Sequence, residues 1–217
     1  TVALGSSANP SVFGQSVNFT ASVSPVAPGA GTPTGSIIFK DGATALATNA
    51  LSGGPATFST SSLSVSNHTI TAVYNGDANF STNTSAALTQ TVGKADSTAS
   101  VTSSANPSVF GQSVSFTATV SAVAPGAGTP TGSVIFKDGT TTLATNTLSS
   151  GQATFSTSAL SVSSHSITVV YNGDGNFNTS TSAALTQTIN KADTATGVTS
   201  SVNPSVFGQS VIITATV

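Results

Sequence analysis

The chain has 217 residues and a net charge of −2, with four lysines, six aspartates and neither arginine nor glutamate. It contains no cysteine, which excludes disulfides and thiolate metal sites, and four scattered lysines cannot form the basic stripe that nucleic-acid binding requires. No apolar run approaches the about 18–20 residues that a membrane span needs, so we expect no membrane insertion. The abundance of Val, Thr and Ile with so little charge indicates a folded chain rather than a disordered one.

Sequence repetition at an offset of 97 residues organises the chain. Ser6–Gln15 returns as Ser103–Gln112 and, nearly unchanged, as Ser200–Gln209. The first two copies align without a gap and agree at roughly four positions in five, which indicates an array of long units. A catalytic site is seldom built twice in one chain, so the repetition argues against an enzyme. The predicted units are repeat 1 (1–96), repeat 2 (97–193) and the start of a third repeat (194–217), and we expect the whole to be part of a longer protein.

Alternation of apolar and polar residues with period two predicts the elements of repeat 1, and no segment shows helical periodicity. The predicted strands in chain order are A (near 2–12), B (16–24), C (35–40), C′ or D (44–51), E (55–60), F (67–75) and G (84–92). About seven short strands with a turn every 8–12 residues are typical of an Ig-like sandwich. The predicted fold is therefore all-β: tandem Ig-like β-sandwiches with a partial third unit.

Residues of one parity along these strands form the predicted core. In repeat 1 they are Val17, Phe19, Val23, Ile37, Phe39, Leu46, Phe58, Leu63, Ile70, Tyr74, Phe80 and Leu88. In repeat 2 they are Val114, Phe116, Val120, Val134, Phe136, Leu143, Phe155, Leu160, Ile167, Tyr171, Phe177 and Leu185. The cysteine pair and tryptophan of antibody-type domains are missing, so the sandwich is of another kind.

Three motifs, in a fixed order, carry a resemblance. They are Asn9-Pro10-Ser11-Val12-Phe13-Gly14-Gln15, Thr34-Gly35-Ser36-Ile37-Ile38-Phe39-Lys40-Asp41-Gly42 and His68-Thr69-Ile70-Thr71-Ala72-Val73-Tyr74-Asn75-Gly76-Asp77. Together they resemble the bacterial Ig-like domain repeat family. The resemblance implies tandem modules of a large secreted or cell-surface protein, adhesins included, and it implies no catalytic residues.

Candidate chemistry is sparse along the chain. His68 and His165 are the only histidines, and no carboxylate or second ligand lies at a useful sequence spacing, so we predict a structural, hydrogen-bonded role for both. No Ser/His/Asp constellation stands out. The loop at Gly29–Gly31 has no following helix that could make it a phosphate cradle. We therefore predict no catalytic residue, no cofactor and no enzymatic activity.

The few charges suggest a role at the junction between repeats. An odd number of strands places the two chain ends of a sandwich at opposite ends. This arrangement would bring five charged residues to one junction: Lys40, Asp41, Lys94, Asp96 and Asp174. There we expect the charges to fix the angle between repeats through ion pairs or, as the weaker alternative, through a cation bound by Asp41, Asp96 and Asp174. Calcium needs about six to eight oxygen ligands, so we predict no metal site.

Two functions remain open at the level of sequence. The favoured one is a non-catalytic structural element outside a bacterium or on its surface: a rod-like spacer, stalk or filament segment. Its partners would be neighbouring repeats and other copies in an assembly. The linker Lys94–Ser97 is short, which favours a rod. The alternative is an adhesin-type module whose loops recognise a glycan or a protein. A glycan site usually needs exposed aromatic side chains for stacking. Both tyrosines and nearly every phenylalanine occupy positions predicted to face the core, so few aromatic side chains remain for such a site.

Overall fold

β-Strands make up the regular structure of this computed structural model, which describes residues 1–51 and 53–217. Repeat 1 contains β1 (Val2–Ser6), β2 (Ser11–Val12), β3 (Val17–Val23), β4 (Ser36–Asp41), β5 (Thr44–Ala50), β6 (Ala56–Thr60), β7 (Asn67–Tyr74), β8 (Asn83–Thr84) and β9 (Leu88–Gly93). Repeat 2 contains β10 (Ser97–Ser103), β11 (Ser108–Val109), β12 (Val114–Ala122), β13 (Ser133–Asp138), β14 (Thr141–Thr147), β15 (Gln152–Thr157), β16 (Ser164–Tyr171), β17 (Ser180–Thr181) and β18 (Leu185–Asn190). The chain ends with β19 (Gly197–Ser200) and β20 (Ile213–Thr216).

Each repeat is a sandwich of two sheets, which confirms the predicted fold. One sheet of repeat 1 has the order β1-β3-β6, and the other has the order β2-β9-β7-β4-β5, with β8 alongside the end of β7. Repeat 2 has the same order in its equivalent strands. Strand β5 pairs with β4, so the strand that the sequence left open as C′ or D is C′.

Strand A differs from its prediction as a single strand near residues 2–12. It is split: β1 pairs antiparallel with β3 in one sheet, and β2 pairs parallel with β9 in the other. The chain crosses between the sheets near Pro10, which lacks the N–H that a continuous ladder would need at that position. Strand G also starts later than predicted, at Leu88, because the N–H and hydroxyl of Ser85 both bond to Ala72 and end the pairing of β8.

The core of each repeat lies between its two sheets, as the alternation predicted. Of the predicted residues of repeat 1, those buried are Val17, Phe19, Ile37, Phe39, Leu63, Ile70 and Tyr74. Those that pack against this cluster while partly buried are Val23, Leu46, Phe58, Phe80 and Leu88. Repeat 2 differs at Val120 and Phe177, which are 2% and 1% exposed, whereas their equivalents Val23 and Phe80 are only partly buried.

The last two strands form a hairpin in the register of the earlier repeats. Ser200 pairs with Ile213, as Ser103 pairs with Phe116 one period earlier. The hairpin presents apolar side chains to solvent, Val198 and Ile213 among them. No helix long and apolar enough to cross a bilayer occurs in the part of the chain that the structure describes.

Candidate functional site: the crossover of strand A and the junction between repeats

Gln90 is a fully buried polar side chain at the crossover of strand A. Its Oε1 accepts a hydrogen bond of 2.7 Å from the Ser6 hydroxyl, and its Nε2 donates to the Ala8 carbonyl at 2.9 Å and to the Ser11 hydroxyl at 3.1 Å. Buried polar groups are stable only when their hydrogen bonds are made, and here one side chain satisfies both sides of the crossover. Gln90 therefore ties the segment between β1 and β2 to strand β9.

Asn9 adds a second connection between the same segments. Its amide donates to the Thr89 carbonyl at 2.7 Å, and its carbonyl oxygen accepts from the Thr91 N–H at 3.0 Å. We call Asn9 and Gln90, with their equivalents Asn106 and Gln187, the crossover latch. Repeat 2 reproduces these bonds. Sequence reasoning missed the latch, although a glutamine on the buried parity of strand G was the available signal.

Each histidine has a carboxylate partner, contrary to the prediction that none lies nearby. His68 Nδ1 is 2.6 Å from Asp41 Oδ2, and His165 Nδ1 is 2.6 Å from Asp138 Oδ2. The two residues are 27 positions apart in sequence but lie on the adjacent strands β4 and β7. Sequence spacing gave no sign of this contact, because the two side chains are brought together only by the register in which β4 pairs with β7.

The other ring nitrogen of His68 decides what this pair can do. Nε2 lies 2.9 Å from the Ser64 carbonyl oxygen and 3.1 Å from the Ser66 hydroxyl. A carbonyl oxygen only accepts, so Nε2 carries a hydrogen and cannot take a proton from Ser66. Burial lowers the pKa of His68, but the Ser64 carbonyl and Asp41 outweigh it and raise the pKa above the ordinary 6.5. The arrangement therefore fastens a loop to strand β4 and is unsuited to activating a nucleophile.

The junction between repeats is built on the linker residue Ala95, which is fully buried. Its N–H donates to the Asn176 carbonyl, and its carbonyl accepts from the Asn178 N–H, each at 2.9 Å. Ala95 thereby forms a parallel bridge with Phe177 in the loop after strand β16, and its side chain belongs to the core cluster of repeat 2. The linker is thus bound to the following repeat along its backbone.

Phe13 of repeat 1 makes the main side-chain contact across the junction. Its ring meets that of Phe177 edge to face, with centroids 5.7 Å apart, and it packs against the core cluster of repeat 2. Its carbonyl accepts a hydrogen bond from the Ala127 N–H at 3.3 Å. A Cβ on Gly128 would lie 3.2 Å from the Phe13 ring, so this loop of small residues admits the aromatic side chain.

Charged residues contribute to the junction differently from the expected ion pairs. Lys94 donates from Nζ to the backbone carbonyl of Asp174, and Asp96 accepts at Oδ1 from the Asn178 amide at 2.8 Å. Asp41 uses its carboxylate within repeat 1, on His68 and the Thr69 N–H. In residues 1–51 and 53–217 the recorded ion pairs are those of the two histidines, and no group of three or more His, Asp or Glu side chains could hold a metal.

Asp174 shapes the loop that receives Phe13. Its Oδ2 accepts from the N–H and hydroxyl of Thr131 at 2.8 and 2.6 Å, and its Oδ1 accepts from the N–H groups of Asn176 and Phe177 at 2.7 and 2.8 Å. Partial burial raises the pKa of Asp174, but these bonds outweigh it and lower the pKa to about 2. The ionised carboxylate therefore holds Phe177 in position for the junction.

Solved structures similar to this chain include fibronectin(III)-like modules and two adhesins. The fibronectin(III)-like modules of Clostridium thermocellum CbhA are 16% identical, with 88% of this chain and 95% of that chain covered and a TM-score of 0.33. The Escherichia coli adhesin FdeC is 14% identical over 99% of this chain and 72% of that chain, with a TM-score of 0.34. The Yersinia pseudotuberculosis adhesin InvE is 14% identical over 85% of this chain, which spans 58% of InvE, with a TM-score of 0.37.

The family match extends over both sandwiches. No curated protein matches the chain. Residues 4–93 and 101–190, which make up most of the chain, match the family described as bacterial Ig-like domain (group 3). The two stretches run from β1 to the end of β9 and from β10 to the end of β18. The match confirms the resemblance carried by the three motifs: this chain belongs to the bacterial Ig-like domain family, group 3.

Proposed function

We propose that the chain is a non-catalytic structural element outside the cell or on a bacterial surface, where it acts as a rod-like spacer that bears tension along its length. The membership in a bacterial Ig-like family supports this location and the structural role. The observation that carries the proposal is the crossover latch, because it closes each sandwich where its first and last strands meet.

Tension on the two ends of a repeat would load this contact in shear. Strands β2 and β9 run parallel, with Ser11 opposite Val92 and Val12 opposite Gly93. A pull on the N-terminal end moves β2 in one direction, and a pull on the C-terminal end moves β9 in the other. The ladder bonds and the bonds of Gln90 must then break together rather than one at a time. Repeat 2 has the same parallel pair.

The structure of the linker supports a rod in which neighbouring repeats keep a fixed orientation, rather than a flexible chain of independent repeats. Backbone bonds of Ala95 and the packing of Phe13 fix repeat 1 to repeat 2, so little of the linker is free to bend. The adhesin alternative needs exposed aromatic or polar loop residues. Phe110 is exposed, but its equivalent Phe13 packs against the core of repeat 2, so a phenylalanine at this position is suited to packing between repeats.

Force spectroscopy on the full chain, held by its ends, tests the proposal. The double variant Gln90→Leu/Gln187→Leu keeps the size of the buried side chain but removes every bond that the glutamines make. We expect both repeats to unfold at clearly lower force. The matched control is Thr89→Val/Thr186→Val, on the exposed face of the same strands, and it should unfold at the force of the unaltered chain. Equal unfolding forces for the glutamine variant and the control would contradict the proposal.

A further inference from the structure

The few lysines of this chain lie in two kinds of position. Four lysines and no arginine leave four peptide bonds for an enzyme that cuts after a basic residue. Lys40 lies in β4 and Lys137 in β13, and each of these strands is paired on both sides. Lys94 and Lys191 lie after the last strand of each repeat, and both are exposed. Cleavage after a strand lysine therefore requires an unfolded sandwich, whereas the linker lysine Lys94 lies outside both sandwiches.

Hydrogen bonds cover the peptide bond between Lys94 and Ala95. The Ala95 N–H, which is part of this bond, donates to the Asn176 carbonyl at 2.9 Å. The Ala95 carbonyl accepts from the Asn178 N–H, also at 2.9 Å, and the Ala95 side chain is fully buried. A serine protease binds its substrate as an extended strand and makes its own hydrogen bonds to the substrate backbone. These backbone groups are already occupied by the F–G loop of repeat 2.

The residues on the N-terminal side of this bond are held as well. The Gly93 carbonyl accepts a hydrogen bond of 2.9 Å from the Phe13 N–H. The Lys94 ammonium donates to the backbone carbonyl of Asp174. A trypsin-like protease takes the lysine side chain into a pocket that contains an aspartate. Lys94 must therefore leave Asp174 before such an enzyme can bind it.

The length of the linker adds a steric barrier. Three residues separate the end of β9 at Gly93 from the start of β10 at Ser97. A protease that binds both sides of the cleaved bond needs a longer extended segment than this. The closed junction and a bound protease therefore exclude each other, and the enzyme can bind only after the linker has separated from repeat 2.

We propose that the Lys94–Ala95 bond is a conditional cleavage site for a trypsin-like protease. The closed junction conceals the bond, and opening of the junction exposes it while both sandwiches stay folded. Hydrolysis adds one water across the bond, which leaves a carboxylate on Lys94 and an ammonium group on Ala95. Cleavage there divides the chain into separately folded repeats, and the state of the junction controls when it happens.

The chain contains a second copy of the same local sequence that serves as a reference. Lys191–Asp193 has the sequence of Lys94–Asp96, and all three of its residues are exposed. The ratio of the two cleavage rates, measured in one molecule, therefore reports how strongly the junction conceals Lys94. Where closing is faster than cutting, this ratio gives the fraction of open junctions. Peptides of residues 91–98 and 188–195 correct for the different residue before each lysine, Gly93 or Asn190.

Limited digestion of the full chain with trypsin, followed by mass spectrometry, measures both rates. We expect cleavage after Lys191 first and cleavage after Lys94 at least about 100-fold more slowly. The fragments 1–94 and 95–191 should both keep the circular dichroism of a folded β-sandwich. Lys94→Gln should remove the slow cleavage and leave the fast one unchanged.

Two variants that open the junction test whether it controls the site. Phe13→Ala removes the aromatic contact and should accelerate cleavage after Lys94 about two- to tenfold. Gly126→Ala places a Cβ 2.5 Å from the Ala95 Cβ and should accelerate it at least about tenfold. Phe110→Ala and Gly29→Ala make the same changes in the same motifs away from this linker, and they should leave the rate at Lys94 unchanged.

Four results would overturn the inference. Equal corrected rates at Lys94 and Lys191 would show that the junction conceals nothing, and first cuts after Lys40 or Lys137 would show that unfolding of a sandwich exposes the chain. Equal rates at Lys94 in the junction variants and their controls would remove the junction from the mechanism. A Lys94 bond that stays uncut in folded Gly126→Ala would exclude the linker as a site. The tension-bearing role is tested separately by unfolding force, so either proposal can fail alone.

Discussion

Phe13 and Phe177 meet edge to face across the junction, with ring centroids 5.7 Å apart, although they belong to different repeats. Phe177 is 1% exposed, whereas its equivalent in repeat 1, Phe80, is only partly buried. The orientation of the two sandwiches depends on this aromatic pair together with the backbone and side-chain bonds of the linker.

Replacement of Phe13 by alanine should loosen the junction and leave both sandwiches folded. The aromatic pair contributes about 0.5–1.5 kcal/mol beyond the burial of its area, so its loss should raise the population of other orientations about two- to tenfold. Residual dipolar couplings measure this directly: one alignment tensor should describe both repeats of the unaltered chain and fail to describe both in the variant. Phe110→Ala makes the same change in the same motif away from the junction and should keep one tensor. A common tensor in Phe13→Ala would refute the role of this ring.

Replacement of Gly126 by alanine should displace the linker. The new Cβ would lie 2.5 Å from the Ala95 Cβ, far inside normal contact distance. We expect hydrogen exchange of the Ala95 and Asn178 amides to accelerate at least about tenfold. The Ala95 N–H donates to the Asn176 carbonyl and the Asn178 N–H donates to the Ala95 carbonyl, so both bonds require the linker to stay packed on the loop. Gly29→Ala is the matched control: both methyls lie 3.0 Å from the carbonyl oxygen three residues earlier, but only Gly126 faces a linker. Equal exchange in the two variants would exclude the steric argument.

Local alternation was sufficient to predict the sandwich, its core and most strand limits, because period two decides which side chains face inward. It could not predict that strand A divides between two sheets. That division depends on Gln90, which bonds to Ser6 on one side of the crossover and Ser11 on the other. A strand's sheet partner is set by tertiary hydrogen bonds that the alternation itself does not encode.

Contacts between distant positions account for the rest of the site. Asp41 and His68 lie on neighbouring strands, and only the register places them 2.6 Å apart. Phe13 and Phe110 have the same seven-residue surroundings in sequence and different exposure, because a following repeat covers one of them. The charged side chains were expected to form ion pairs across the junction, yet Lys94 donates to the backbone carbonyl of Asp174. The positions of charged residues in the sequence do not predict a bond to a backbone carbonyl.

Replacement of Asp174 by alanine should weaken both its loop and the junction. Four hydrogen bonds to its carboxylate hold Thr131, Asn176 and Phe177 in place. After allowance for solvent screening we expect a loss of about 1–2 kcal/mol in the free energy of unfolding of repeat 2. Asp77→Ala removes the equivalent loop bonds of repeat 1. Thermal unfolding should register both variants, whereas faster exchange of the Ala95 amide should follow only from Asp174→Ala; the same exchange in both would contradict the assignment.

The stability of the chain should fall at both acid and alkaline pH, with aspartates responsible on the acid side and histidines on the alkaline side. The pKa values of Asp77 and Asp174 are lower in the folded chain than the ordinary 3.8, because both carboxylates accept several hydrogen bonds. Their contribution is complete above pH 3.8 and is lost as the pH falls through the lowered values. The pKa values of His68 and His165 lie above 6.5 in the folded chain. Their contribution is complete below pH 6.5 and is lost as the pH rises through the raised values.

Thermal unfolding between pH 2 and pH 9 should therefore give a maximum midpoint between about pH 4 and pH 6.5. The double variant His68→Gln/His165→Gln removes both imidazolium groups, so its midpoint should be lower at pH 5 and should no longer fall between pH 6.5 and pH 8. Each histidine faces the carboxylate of Asp41 or Asp138 on one side and a backbone carbonyl on the other, and both contacts favour the charged ring. Gln90→Leu supplies the control, because it destabilises repeat 1 without a titrating group and should shift the whole profile down while keeping its slope above pH 6.5. A histidine variant that keeps that slope would show that other groups set the alkaline limit.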